Sequence, residues 1–105
     1  MSDKLLILTT TGSEEEATKI AQALVERRAA ACVNIIPHVH SVYRWQGTVE
    51  KAEECLLLIK TSKSHEEQVR STLGELHSYE LPEYLIVAVA DGSAEYLRWI
   101  DASLG

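Results

Sequence analysis

Three short stretches of this chain are apolar at every position rather than at every second one: Leu5-Leu6-Ile7-Leu8, Leu56-Leu57-Leu58-Ile59 and Leu85-Ile86-Val87-Ala88-Val89. Neighbouring side chains of a strand point to opposite faces, so a sheet covered on one side only alternates apolar with polar residues. Strands of this kind have two faces to hide. Any fold of the chain must therefore supply cover both above and below the same sheet.

The elements between these strands follow from local signals. Leu5 to Leu8 is closed by Thr9-Thr10-Thr11-Gly12, which reads as a turn. Ser13 with Glu16 three residues on forms a capping box, and Glu14, Glu15 and Glu16 place negative charge at the positive end of a helix. Ala17, Ile20, Ala21, Leu24 and Val25 recur at helical spacing up to a last turn carrying Arg27 and Arg28. Cys32 to Ile36 opens a second strand, which Pro37 interrupts, because proline cannot donate to a ladder and is confined to edges and bulges. The β-prone residues continue from Val39 to Trp45, Gln46-Gly47 turns the chain, and a third strand runs from Thr48 to Thr61. Ser64 and Glu67 make a second capping box, followed by Val69, Leu73 and Leu76 until His77. Pro82 restarts an extended segment, Tyr84 to Ala90, and Asp91-Gly92-Ser93 leads into a last short helix with Leu97, Ile100 and Leu104 on one side.

This order predicts an α+β, ferredoxin-like split βαβ sandwich (βαββαβ plus a C-terminal helix) in a single domain, residues 1–105, with a long hairpin between the second and third strands. Right-handed crossovers put both main helices on one face of the sheet. The short terminal helix hides too little of the other, so self-association through that face or the hairpin edge is expected. A monomer with the terminal helix packed there is the alternative. Sixteen acidic side chains against ten basic ones give a net charge of −6 with no basic patch, which argues against nucleic acid and anionic lipid as partners. No apolar run approaches the ~20 residues of a membrane span, and Met1-Ser2-Asp3-Lys4 does not lead into a signal-peptide core, so a cytoplasmic location is expected. Two cysteines, Cys32 and Cys55, are too few for a disulfide framework and are expected to be reduced thiols.

Two groups of residues invite chemistry. With Gln46-Gly47 as a two-residue turn, facing hairpin residues have numbers summing to 93, which sets His38 against Cys55, His40 against Glu53 and Cys32 against Thr61. Imidazole, thiolate and carboxylate on one sheet face suit a borderline or soft divalent ion such as copper or zinc; the competing reading is an exposed polar strand face with one packed cysteine. A one-residue slip at Pro37 breaks the pairing. The segment His77-Ser78-Tyr79-Glu80-Leu81-Pro82-Glu83 gathers imidazole, phenol and carboxylates into a loop, with Lys60-Thr61 expected nearby. Lys60 there either pairs with Glu80 to fix the loop or holds an anionic ligand at a subunit cleft. The loop Thr9 to Ser13 offers hydroxyls and a helix N-terminus, but the three glutamates behind it oppose a phosphate. No Ser-His-Asp or Cys-His grouping follows from the spacing, and no enzymatic activity is expected.

Ala30-Ala31-Cys32-Val33-Asn34-Ile35, then Ser41, Tyr43, Trp45 and Gly47, then Lys60-Thr61, His77, Tyr79-Glu80 with Pro82-Glu83, and finally Tyr96-Leu97 with Trp99 resemble the CutA divalent-cation-tolerance family over essentially the whole chain. The resemblance implies a ferredoxin-like subunit in a homotrimer whose long hairpin engages its neighbours. It also implies a role in tolerance of copper or another divalent cation. Copper ligands attributed to some members are a Cys at the end of the first strand and two adjacent histidines before a Pro-Tyr. The matching positions here hold Thr9, Leu76 and His77, with Ser78 in place of the Pro, so His77 alone keeps a ligand. The trimer further resembles PII-type signalling proteins, which implies an alternative: a small-ligand sensor with an inter-subunit cleft lined by Lys60, Thr61, Tyr79 and Glu80, with Tyr43 and Trp45 reaching across from the hairpin. A trimeric scaffold without a ligand is a third reading.

Overall fold

The structure is a computed structural model and describes residues 2–105. It contains strand β1 (Lys4–Thr11), helix α1 (Glu14–Glu26), strands β2 (Cys32–Trp45) and β3 (Thr48–Ser62), a 3-10 turn (Lys63–His65), helix α2 (Glu66–Leu76), strand β4 (Leu85–Ala88) and helix α3 (Ala94–Ser103). The sheet order is β2-β3-β1-β4, with every neighbouring pair antiparallel, which is the split βαβ arrangement.

One face of this sheet is a finished core. Leu5 and Ile7 of β1 and Cys55, Leu57 and Ile59 of β3 pack under Ala17, Ile20 and Leu24 of α1 and Val69 and Leu73 of α2. The other face carries Leu6 and Leu8, half-buried, beside Leu56 and Leu58, also half-buried, with Ile36, Leu85 and Val87 at 42%, 55% and 44% exposure. Helix α3 covers only the end of this face marked by Lys4 and Lys60. Its Ile100 and Leu104, with Leu97, close over Ala31 as a separate small cluster, and Asp101 reaches Lys4 at 3.1 Å. The two-faced strands therefore do leave an open apolar surface.

The departures from the sequence reading are local. Thr9, Thr10 and Thr11 continue β1 and are buried, because β-branched residues fit a pleated ladder and the turn waits for Gly12. Ser13 caps α1 by accepting from the Glu16 N–H at 3.1 Å, but the Glu16 carboxylate accepts from the Ser78 N–H at 2.8 Å instead of closing a reciprocal box. The helix ends at Glu26, so Arg27 forms the cap and pairs with Glu75 at 3.1 Å, while Arg28 adopts a left-handed φ of 57°. Ser64 does not cap α2. It lies in the 3-10 turn, and His65 holds Ser62 through Nδ1 at 2.9 Å and the Gly105 carbonyl through Nε2 at 2.6 Å. Strand β4 is shorter than Tyr84 to Ala90, and the Tyr84 hydroxyl donates to Glu66 at 2.7 Å.

The hairpin turn is as expected: Gln46 and Gly47 both have positive φ, 49° and 82°, the pattern of a two-residue turn matched to strand twist. From Trp45↔Thr48 to Val39↔Glu54 the pairing sum holds at 93. Between Ile36 and Val39 the register then shifts, so that Pro37 and His38 together face Cys55, and His38 takes a φ of 60°.

Candidate functional site

The bulge dismantles the proposed His38–Cys55 pair. Cys55 is 4% exposed and turned into the helix-side core, whereas the His38 side chain is 73% exposed. Cys32 faces Lys60, not Thr61, and lies on the opposite sheet face from Cys55, so the two thiols stay free. His40 does face Glu53. His38 Nδ1 and His40 Nε2 approach the same Glu53 oxygen at 3.6 and 3.9 Å. Among the described residues, no group of three or more His, Cys, Asp and Glu side chains is placed to hold a metal ion.

His77 is also committed elsewhere. Directly after α2, its Nε2–H donates to the Thr10 carbonyl at 2.7 Å and its Nδ1 accepts from the Tyr79 N–H at 3.1 Å. Both ring nitrogens are used by backbone, the pattern of a neutral Nε2–H tautomer, so no lone pair is left for a metal. Thr9 sits one residue from that contact with its hydroxyl fully buried and unpaired among the described residues, and Leu76 packs against the core. Among the described residues this corner gathers no group of three metal-ligating side chains within one chain. The imidazole instead orders the α2–β4 loop.

That loop swings around the end of β1 towards the open face of the hairpin. Gly12 leaves room for it: a Cβ there would lie 3.3 Å from the Tyr79 hydroxyl oxygen, close enough to push the ring by a few tenths of an ångström. Tyr79 then donates to Glu54 Oε2 at 2.8 Å, and Glu54 is itself only 8% exposed. Loop and hairpin flank an open groove of about 840 Å³ whose lining includes Ser41, Tyr43, Arg44, Trp45, Tyr79 and Glu80, with Glu54, Leu81, Pro82 and Glu83 beside them. Burial and the adjacent Glu54 carboxylate push the Tyr79 hydroxyl pKa well above its ordinary value; burial, reinforced by Glu54, also raises that of the Glu83 carboxyl.

Of the expected cleft residues, Tyr43, Trp45, Tyr79 and Glu80 come together and Lys60 and Thr61 do not. Lys60 Nζ reaches the Tyr96 hydroxyl at 3.3 Å and lies 5.6 Å from that ring's centre, under α3. Thr61 is buried on the helix side and donates to the Ala29 carbonyl at 2.7 Å. The groove of a single chain is therefore acidic and aromatic, without Lys60. Glu54 escapes a reading by motif. Its signal is a carboxylate on the same strand parity as the apolar Leu56 and Leu58.

Residues 5–103 match the CutA1 divalent ion tolerance protein family. The divalent-cation tolerance protein CutA of Thermus thermophilus is 45% identical over 100 residues, which span 95% of this chain and 97% of that protein. The crystal structure of CutA from Xylella fastidiosa superposes with a TM-score of 0.96 at 42% identity, covering 99% of this chain and 100% of that one. A structure described as the periplasmic divalent cation tolerance protein CutA of Archaeoglobus fulgidus superposes with a TM-score of 0.92 at 37% identity, covering 95% of this chain and 97% of that one. With the fold, the long hairpin and the matched residues in agreement, the chain belongs to the CutA1 divalent ion tolerance family.

Proposed function

We propose that this chain works as a non-catalytic homotrimer in the cellular response to divalent cations, copper among them, and that it does so in the cytoplasm. The observation that carries the assembly is the open sheet face: Leu6, Leu8, Leu56, Leu58, Leu85 and Val87 form an apolar layer that α3 does not reach, and a fully buried side chain of this type contributes ~1.5–3 kcal/mol. A second and third copy supply the missing cover. The two free thiols on opposite faces of the sheet favour a reducing compartment, and no helix of the described residues is long and apolar enough to cross a membrane.

Among the described residues a single chain has no three-ligand group for an ion. The donors free to reach one are His38, His40 and Glu53, exposed at the bulge, and a second chain completes the set where hairpins meet neighbours. Mass measurement under native conditions, with and without Cu(II), tests both halves. The reading expects three chains per particle and bound copper that is lost in His38→Ala/His40→Ala but retained in His77→Ala. A lone chain contradicts the assembly, and copper binding unaffected by the hairpin substitutions contradicts the donor set.

A further inference from the structure

The open face of the sheet is charged at both ends and apolar between them. Alternate side chains of a strand share a face, so β3 presents Glu54, Leu56, Leu58 and Lys60 there in line. Strands β1 and β4 add Leu6, Leu8, Leu85 and Val87 to the middle. Neither end is neutralised by its own chain. Lys60 Nζ is met by the neutral Tyr96 hydroxyl at 3.3 Å and Glu54 Oε2 by the neutral Tyr79 hydroxyl at 2.8 Å, and among the described residues neither side chain forms an ion pair. Glu83 stands near Glu54 at the acidic end and is unpaired in the same sense. Six residues of strand hold Glu54 and Lys60 ~20 Å apart, so one chain cannot pair them.

A second copy laid on this face takes both charges out of water, which is strongly unfavourable unless each finds a counter-ion. The orientation of the copies decides whether it does. Like ends together set ammonium on ammonium and carboxylate on carboxylate. Unlike ends together set each Lys60 on the carboxylates of the next chain, a heterologous contact of the kind that closes into a ring. The surroundings of the two charges match as well. Tyr96 and Trp99, both exposed, stand in contact beside Lys60, and exposed Tyr43, Trp45 and Leu81 stand around the acidic end, so each charge sits within an apolar rim that a copy can cover. We propose that the copies meet head to tail, with Lys60 of one chain between Glu54 and Glu83 of the next. This rests on the assembly through the open face proposed above, and adds to it the orientation of the copies and the charges that set it.

A double-mutant cycle on association tests this, using Lys60→Met, which keeps the methylene stem, and Glu54→Gln, whose amide oxygen still accepts from Tyr79. Within one chain the two sites lie too far apart to couple, so coupling in the association constant reports contact between copies. Sedimentation over a dilution series reads association, and circular dichroism on the same samples shows that each variant is folded. Each single substitution should weaken the contact about tenfold or more, and the two together no more than the stronger one alone. Glu83→Gln, on the loop where folding is not at stake, should couple to Lys60→Met in the same way, and it decides the matter if Glu54→Gln does not fold. The same cycle with Lys19→Met, exposed on α1, in place of Lys60→Met should be additive. Additive effects of Lys60→Met with either folded carboxylate variant, or tighter association of Lys60→Met alone, overturn the head-to-tail pairing while the assembly stands. Single chains in the unaltered protein overturn the pairing and the assembly together.

Discussion

Replacing Leu8 by aspartate puts a charge in the middle of the open face, where the register sets Leu58 on one side and Leu85 on the other. In the isolated chain Leu8 is half-buried, so roughly half of the ~1.5–3 kcal/mol of a fully buried leucine is at stake, or about 1 kcal/mol. A domain with the usual ~5–15 kcal/mol of stability survives that. In an assembly that dries the face, the same carboxylate has no counter-ion, and an unpaired buried charge costs several kcal/mol in each chain. At about 1.4 kcal/mol per factor of ten, the association constant falls by roughly a thousandfold or more. Sedimentation velocity at micromolar concentration, with far-UV circular dichroism on the same sample, reads both effects. The expected result is native secondary structure in a particle the size of one chain, while Val25→Asp, on the exposed side of α1, stays assembled. If Leu8→Asp sediments as the unaltered protein does and melts at the same temperature, the open face is not the surface that association buries.

Tyr79→Phe should cost about 1.5–3 kcal/mol in thermal or urea unfolding, because it removes the donor to the buried Glu54 carboxylate. Ser13→Ala should cost about 1 kcal/mol, measured in the same way, by freeing the Glu16 N–H at the start of α1. Glu66 has its carboxyl held below the ordinary 4.5 by the Tyr84 hydroxyl first and by Arg70 second. A lowered folded value gives stabilisation that is complete above pH 4.5 and fades as pH falls through the folded value. Unfolding midpoints of the unaltered protein and Glu66→Gln should therefore differ at pH 7 and converge in acid; a gap that widens in acid contradicts this assignment.

Element order, both main helices and the hairpin turn follow from sequence because each rests on local chemistry: a capping serine at Ser13, helical spacing through Leu24, and a glycine that accepts positive φ at Gly47. What escaped was set by tertiary contact. Thr9 to Thr11 read as a turn from sequence, but β3 pairs with them across Leu57, Leu56 and Cys55 and keeps them in β1. The extra residue at Pro37-His38 shifts the register by one, which separates His38 from Cys55, and nothing in the composition of β2 says on which side of Pro37 the slack is taken up. His77 is a ligand candidate only through the family resemblance, and its Thr10 and Tyr79 backbone partners lie in a loop geometry that no spacing rule encodes. Lys60 and the 77–83 loop seemed neighbours because both flank α2. The strand carries Lys60 to the α3 end of the sheet and the loop to the other.

Whether the second face of the sheet is buried against other copies can be weighed outright. Native mass measurement of the purified protein at low micromolar concentration should find particles of three chains, three times the 11.7 kDa of one. A population consisting of single 11.7 kDa chains would mean that Leu6, Leu8, Leu58 and Leu85 stand in water, and the reading of this protein as an assembly completed through its open sheet face would fail.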